Sequence, residues 1–185
     1  MKTEKEKMLA GELYNAMDPE LAAGRRRARL LVKQLNDSGD DEGELRRELL
    51  RELFGGAGAN LWIEPPFYCD YGSNITVGDN VFFNFNCVVL DVAPVTIGSG
   101  TMFGPAVQIY TATHPIEAHE RRKGLEAGQA IRIGEEVWVG VGAIVRPGVS
   151  IGDRSVIGAG AVVTRDLPPD VFAAGNPCRV VRELA

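Results

Sequence analysis

The chain is poor in two residue types that often carry protein chemistry. Among 185 residues there are two histidines, His114 and His119, and three cysteines, Cys69, Cys87 and Cys178. A zinc site of three histidines from one chain is therefore excluded. No C-x-x-C pair occurs, and an odd, sparse set of cysteines fits reduced thiols rather than a disulfide framework. No run approaches the roughly 18 apolar residues of a membrane span. The start, Met1 to Ala10, alternates charges and lacks the apolar stretch of a secretory signal. These absences predict a cytoplasmic protein without a membrane partner. Excess positive charge is also missing: the net charge is −5, so nucleic acid is not expected as a partner. What remains, 45% apolar and 24% charged, is the composition of an ordinary globular protein.

Charge divides the chain in two. Residues 1–60 hold 11 Lys/Arg and 12 Asp/Glu, and residues 61–185 hold 9 and 13. The first part reads as helical. Thr3 and Glu6 form a capping box, followed by Leu9, Leu13 and Met17 at helical spacing. Asp18-Pro19 restarts the chain as N-cap and first-turn residue. Leu21, Ala28, Val32 and Leu35 give the next apolar stripe, and Asn36 to Asp40 is a turn cluster. Asp41 with Glu44 can cap a third helix that buries Leu45, Leu49 and Leu53. The run Arg25-Arg26-Arg27 with Arg29 reads as a solvated helix face, because nearby acids cancel its charge. Gly55-Gly56-Ala57-Gly58 is the hinge out of this part. Asn60 to Tyr71 reads as an extended lead-in.

A repeat follows. Apolar residues recur every six positions at Val77, Phe83 and Val89, then at Ile97, Phe103 and Ile109. The series resumes at Ile133 and runs through Val139, Val145, Ile151, Ile157 and Val163. Glycine stands next in seven of the twelve cases. Two extra residues enter before Ile97, and 24 residues separate Ile109 from Ile133. A period of six is neither helix nor simple strand. It suits a solenoid in which each hexad makes one flat side and one turn. The start residue points inward, and glycine eases the corner. About five coils are expected from residue 71 to 168.

This pattern resembles the hexapeptide-repeat acyltransferases. Their fold implies a mainly β protein, a left-handed parallel β-helix of hexapeptide repeats with an N-terminal α-helical domain. The hand comes from the resemblance, since the rule for parallel crossovers favours the opposite one. The division implied is a helical domain at 1–58, a β-helix at 59–172 with an extruded loop at 114–130, and a capping segment at 173–185. Within that superfamily, E-K-M-L-A-G-E-L-Y-N-A-M-D-P-E-L (residues 6–21) resembles the helical domain of maltose acetyltransferases. Cys69 to Ile75, Asn84 to Asp91, I-Y-T-A-T-H-P (109–115), V-W-V-G (137–140) and A-A-G-N-P-C-R-V (173–180) resemble the same sugar O-acetyltransferases. The resemblance implies acetyl-CoA as donor, a small maltose- or glucose-like sugar as acceptor, no metal and a homotrimer.

Individual residues carry the implied chemistry. A sugar hydroxyl is a poor nucleophile at neutral pH and needs a base that titrates near neutrality, which imidazole supplies. His114, where the repeat breaks, matches the catalytic base; His119, in a charged stretch, reads as solvated loop. Asn84 stands where glycine is usual and matches a transition-state stabiliser, whose amide can donate to a developing oxyanion. Asp18 and Asp70 match sugar-binding positions, and Asp91 and Phe82 are further acceptor candidates. Asp70 replaces a serine and Phe82 a tyrosine of the galactoside enzymes, which argues against a galactoside acceptor. Trp138 and Val141 match the strip that holds the pantetheine arm; Ala159, Thr164 and Arg165 continue it. Arg179 and Arg182 match phosphate contacts, for which arginine offers a fork of donors. The alternative within the superfamily is another acceptor: a galactoside, an amino sugar or an antibiotic. A zinc-dependent carbonic anhydrase on the same fold fails for want of a third histidine.

Overall fold

The computed structural model describes residues 1–185. Strands stack into a left-handed parallel β-helix with three faces. Face one holds Gly56–Ala57, Ile75–Val77, Val95–Ile97, Ile131–Ile133 and Ser150–Ile151. Face two holds Trp62–Ile63, Phe82–Phe83, Met102–Phe103, Trp138–Val139, Val156–Ile157 and Val171–Ala174. Face three holds Phe67–Cys69, Cys87–Leu90, Gln108–Tyr110, Ile144–Val145 and Val162–Val163. The last strand, Arg179–Glu183, folds back antiparallel on Val171–Ala174 and closes that end of face two. No helix is long and apolar enough to cross a membrane.

All twelve hexad starts are buried and point into the solenoid. The solenoid has about six turns, one more than the hexads from Val77 suggest. The lead-in of Asn60 to Tyr71 is itself a coil: Trp62 pairs with Phe82, and Phe67 with Cys87. The signal was a longer period. Ala57, Val77 and Ile97 are register partners twenty residues apart, whereas Ile133 and Ile151 are eighteen apart. The two extra residues before Ile97 thus belong to a broad turn that recurs before Val77.

Glycine after the inward residue has a different cause from the corner strain expected. Gly78 and Gly98 have ordinary backbone angles. A Cβ on Gly78 would lie 2.4 Å from Ser99 Oγ, and one on Gly98 2.5 Å from the Glu135 nitrogen. Close approach of successive coils forbids a side chain there. Left-handed angles fall two residues later, on Asn60, Asn80, Glu136, Arg154 and Asp170. Asparagine accepts that geometry readily.

The helical part caps the open end of the first coil. Helix α1 is Glu4–Leu9, with the Thr3–Glu6 capping box in place. It stops short of Leu13 and Met17, which are exposed, because the chain turns at Gly11 with φ +72°. Tyr14–Asn15 is then a strand, not helix. Helix α2 is Pro19–Asp37, capped by Asp18, and buries Leu21, Ala28, Leu31, Val32 and Leu35. Helix α3 is Gly43–Leu53 and buries Leu49, Leu50 and Leu53, with Glu42 rather than Asp41 at its N-cap. Leu45 is exposed, and Arg46 takes the inner position instead. Its guanidinium bonds Ser38 and Asp40 and lies 5.5 Å from the centre of the Trp62 ring. Phe54, just past α3, packs edge-on against Phe67 and joins cap to core.

Candidate active site

The loop between Tyr110 and Ile131 carries the first candidate. Ala112–Thr113 pairs antiparallel with Leu125–Gly128, which pairs in turn with Tyr14–Asn15 of the N-terminal segment. A short helix α4, Ala118–Arg121, crosses the tip. His114 directly follows Ala112–Thr113, so two strands set its position although it is exposed itself. Met8, Tyr14, Leu21, Tyr71 and Val92 form a small second core under this sheet.

Below His114 lies an open cleft of about 500 Å³, lined by Met17, Arg25, Arg29, Asp70, Tyr71, Leu90, Val92, Glu126 and others. Its polar groups are held in a network. Tyr14 donates its hydroxyl hydrogen to Glu126 Oε2 at 2.9 Å. Arg25 donates to the Tyr71 hydroxyl at 2.7 Å and to the Ala16 carbonyl at 2.6 Å. Burial and then the Glu126 charge push the Asp70 carboxyl above its ordinary range, while Arg25 and Arg29 pull it down. Burial also raises the Tyr14 and Tyr71 phenols, so both remain hydroxyl donors or acceptors at neutral pH. Carboxylates, guanidinium groups and hydroxyls beside apolar Met17, Leu90 and Val92 suit a small polyhydroxylated ligand.

Sequence reasoning found Asp70 and His114 in this cleft but missed Arg25, Arg29, Tyr71, Glu126 and Tyr14. Arg25 and Arg29 read as solvent-facing because of neighbouring acids. Their position one turn apart, flanking the stripe of Leu21, Ala28 and Val32, was the available signal.

The other acceptor candidates stand elsewhere. Asp91 is fully buried. Its Oδ1 accepts from the Asp70 and Tyr71 backbone nitrogens at 3.0 and 2.9 Å, and its Oδ2 from Asn74 at 3.3 Å. Burial pushes its carboxyl up to about 7, against the pull of those N–H groups. Asp91 therefore holds the turn that presents Asp70, and it is not part of the cleft lining. Asp18 beside Met17 spends its carboxylate on Glu20 and Leu21 nitrogens as the cap of α2. Phe82 faces outward on face two, half-buried.

Asn84 lies on a different edge. Register along face two places Asn84, Gly104, Gly140 and Gly158 in one column at the corner between faces two and three. Val141 and Ala159 follow in the same corner, one coil apart. Asn84 has ordinary backbone angles, so local geometry does not demand an amide there. Its Oδ1 accepts from the Phe85 nitrogen at 2.8 Å. Asp70, Thr164 and His114 stand past the other end of face three, as its strand register places them. Arg165 follows Thr164. One chain thus carries two half-sites on two edges and does not bring Asn84 to His114.

Trp138 and Arg182 do meet. With Val156, Phe172 and Leu184 they line a shallow, mostly apolar hollow of about 290 Å³ on face two. Arg179 is exposed and donates to the Cys178 carbonyl at 2.7 Å. Cys178 is buried, and burial raises its thiol.

Known proteins share this whole arrangement. Residues 7–58 match the maltose acetyltransferase hexapeptide capping motif, and residues 130–165 match the bacterial transferase hexapeptide (six repeats). Nodulation protein L of Rhizobium meliloti (strain 1021) is 54% identical over 97% of this chain and 98% of its own. The chain belongs to the maltose/galactoside acetyltransferase family. Among solved members of this acetyltransferase family, a maltose O-acetyltransferase from Clostridium difficile 630 superposes with a TM-score of 0.99. It is 48% identical, and the match covers 100% of this chain and 98% of that one. A galactoside acetyltransferase in complex with coenzyme A superposes at 0.97, with 42% identity and coverage of 100% and 92%.

Proposed function

We propose that this acetyltransferase moves acetyl from acetyl-CoA to a hydroxyl of a small maltose- or glucose-like sugar, with His114 as general base. The observation that carries this reading is the cleft itself. It sets an exposed imidazole on a braced loop above Asp70, Glu126, Arg25 and Tyr71. Those side chains bond the sugar's hydroxyls, and Met17, Leu90 and Val92 meet its C–H groups. His114 takes the proton of the attacking hydroxyl as its oxygen bonds to the thioester carbonyl carbon. The C–S bond then breaks, and coenzyme A leaves as thiolate and recovers a proton. Transfer is direct: Cys178 is buried with a raised thiol, and nothing activates it as a nucleophile. An acetyl-CoA consumption assay against sugars, amino sugars, galactosides and amino acids tests the reading. Activity confined to an amine acceptor would replace it with the second reading, an acetyltransferase for another acceptor.

The two half-sites require a neighbour. Asn84, whose Oδ1 is engaged by Phe85, keeps its Nδ2 donors for the developing oxyanion, yet sits on the wrong edge of its own chain. A closed three-fold ring sets the corner with Asn84, Val141 and Ala159 against the corner with Asp70, His114 and Thr164 of the next subunit. Surface chemistry agrees. Phe85, Met102, Trp138 and Val141 on face two and its corner are each 49–53% exposed, whereas the outward residues of face one are Gly56, Thr76, Thr96, Arg132 and Ser150. A large exposed apolar strip marks a contact surface. The mass in solution is expected to be three times the 20.0 kDa of one chain, by light scattering at assay concentration. An active monomer would defeat this assembly.

The donor lies along that interface, with its pantetheine arm on Trp138, Val141 and Ala159 and its nucleotide end towards Thr164 and Arg165. Arg179 and Arg182 bond its phosphates. Replacing both with alanine is expected to weaken acetyl-CoA binding, each lost phosphate contact costing roughly 1–3 kcal/mol. The variant should also discriminate less against a donor lacking those phosphates. Calorimetric affinities for the two donors check this, and unchanged affinity would make the arginines mere solvated ends.

A further inference from the structure

A second groove, of about 370 Å³, runs beside the acceptor cleft between helix α2 and the first strand of face three. Arg29 lines both spaces. Cys69 lines the groove, and the next residue, Asp70, lines the cleft. Only one arginine side chain and one peptide unit divide them. The groove is preformed: the Asn36 amide donates to the Phe67 carbonyl at 3.0 Å and accepts from the Phe67 nitrogen at 2.8 Å, locking helix to strand. Along it stand the Lys33–Asp37 ion pair and the Tyr68 ring, which is 50% exposed.

That set of groups has a clear chemical complement. A sugar ring has an apolar C–H face and a rim of hydroxyls. An exposed aromatic ring takes the first, and paired charges that cancel one another take the second without calling for an ionic ligand. We infer that this groove holds a second sugar ring of the acceptor, whose first ring offers its hydroxyl to His114. The inference rests on the sugar acetyltransferase reading and narrows its substrate class to glycosylated sugars of two or more rings. Arg29, shared by both spaces, bonds the acceptor where its rings join.

The test compares kcat/KM for maltose and glucose in the full-length protein, in Tyr68→Ala and in Tyr68→Trp. The wild type is expected to prefer maltose. Tyr68→Ala should cut the maltose-to-glucose ratio about tenfold or more, and Tyr68→Trp should keep it, because a ratio cancels any general loss of active protein. A wild type that accepts glucose but shows no preference for maltose overturns the inference and leaves the sugar acetyltransferase reading standing. So does a ratio in Tyr68→Ala within about twofold of wild type. A smaller mass for Tyr68→Ala, with both substrates losing activity together, would assign Tyr68 to the subunit interface and also overturn it. If no sugar is acetylated, the functional reading fails and the groove assignment with it.

Discussion

His114→Ala is expected to lower turnover by about 10²–10⁴, with acetyl-CoA affinity nearly unchanged. The base acts on the acceptor hydroxyl, and the residues assigned to the donor lie on face two, at the corner beyond it and at Thr164–Arg165. Because only the unprotonated imidazole can accept a proton, the wild-type rate should fall towards acid pH. Asn84→Ala should also slow turnover yet keep that pH dependence, since an amide does not titrate. His119→Ala is the control for disturbance of the loop. Its side chain is 68% exposed and 3.3 Å from Glu120 in the same short helix, away from the cleft. Steady-state kinetics of the three variants across pH decide the matter. Near-normal turnover in His114→Ala with a dead His119→Ala would mean the wrong imidazole was chosen. Normal turnover in both would remove base catalysis from this loop altogether.

The hexads were legible because burial in a solenoid imposes one inward residue per side, and close coil spacing imposes glycine after it. The first coil escaped notice because Asn60 to Tyr71 is rich in prolines and aromatics and its partners lie twenty residues on, at Phe82 and Cys87. Helix α1 was expected too long because apolar spacing at Leu9, Leu13 and Met17 outweighed the break at Gly11. Half of the cleft was legible in the same way. Asp70 and His114 sit in local motifs, so short stretches of sequence identify them. Tyr14 and Glu126 are 112 residues apart, and Arg25 reaches Tyr71 across 46. Such partners are made by tertiary pairing, which no local pattern encodes. Asp91 shows the opposite error: an acid in a motif read as ligand-facing is instead the anchor of a turn.

Phe83→Ala is expected to destabilise the protein by about 3–5 kcal/mol. Phe83 is fully buried in the middle of a row of rings along the solenoid axis. It stacks on Phe103 with centroids 4.3 Å apart, and Phe67 meets it edge-on at 5.8 Å. Phe67 in turn meets Phe54 at 5.9 Å, so the row carries the cap into the core. Removing one ring leaves a cavity that the strands cannot collapse. The Glu64 nitrogen bonds the Phe83 carbonyl, and the Asn84 nitrogen bonds the Phe103 carbonyl, which fixes the coil spacing. Thr96→Ala on outward face one, exposed and remote from this row, should stay within about 0.5 kcal/mol of wild type. Denaturant midpoints read the difference, taken at one protein concentration because an assembled state makes stability depend on it. A Phe83→Ala midpoint equal to that of Thr96→Ala would show that the backbone ladders, not the aromatic row, hold the coils together.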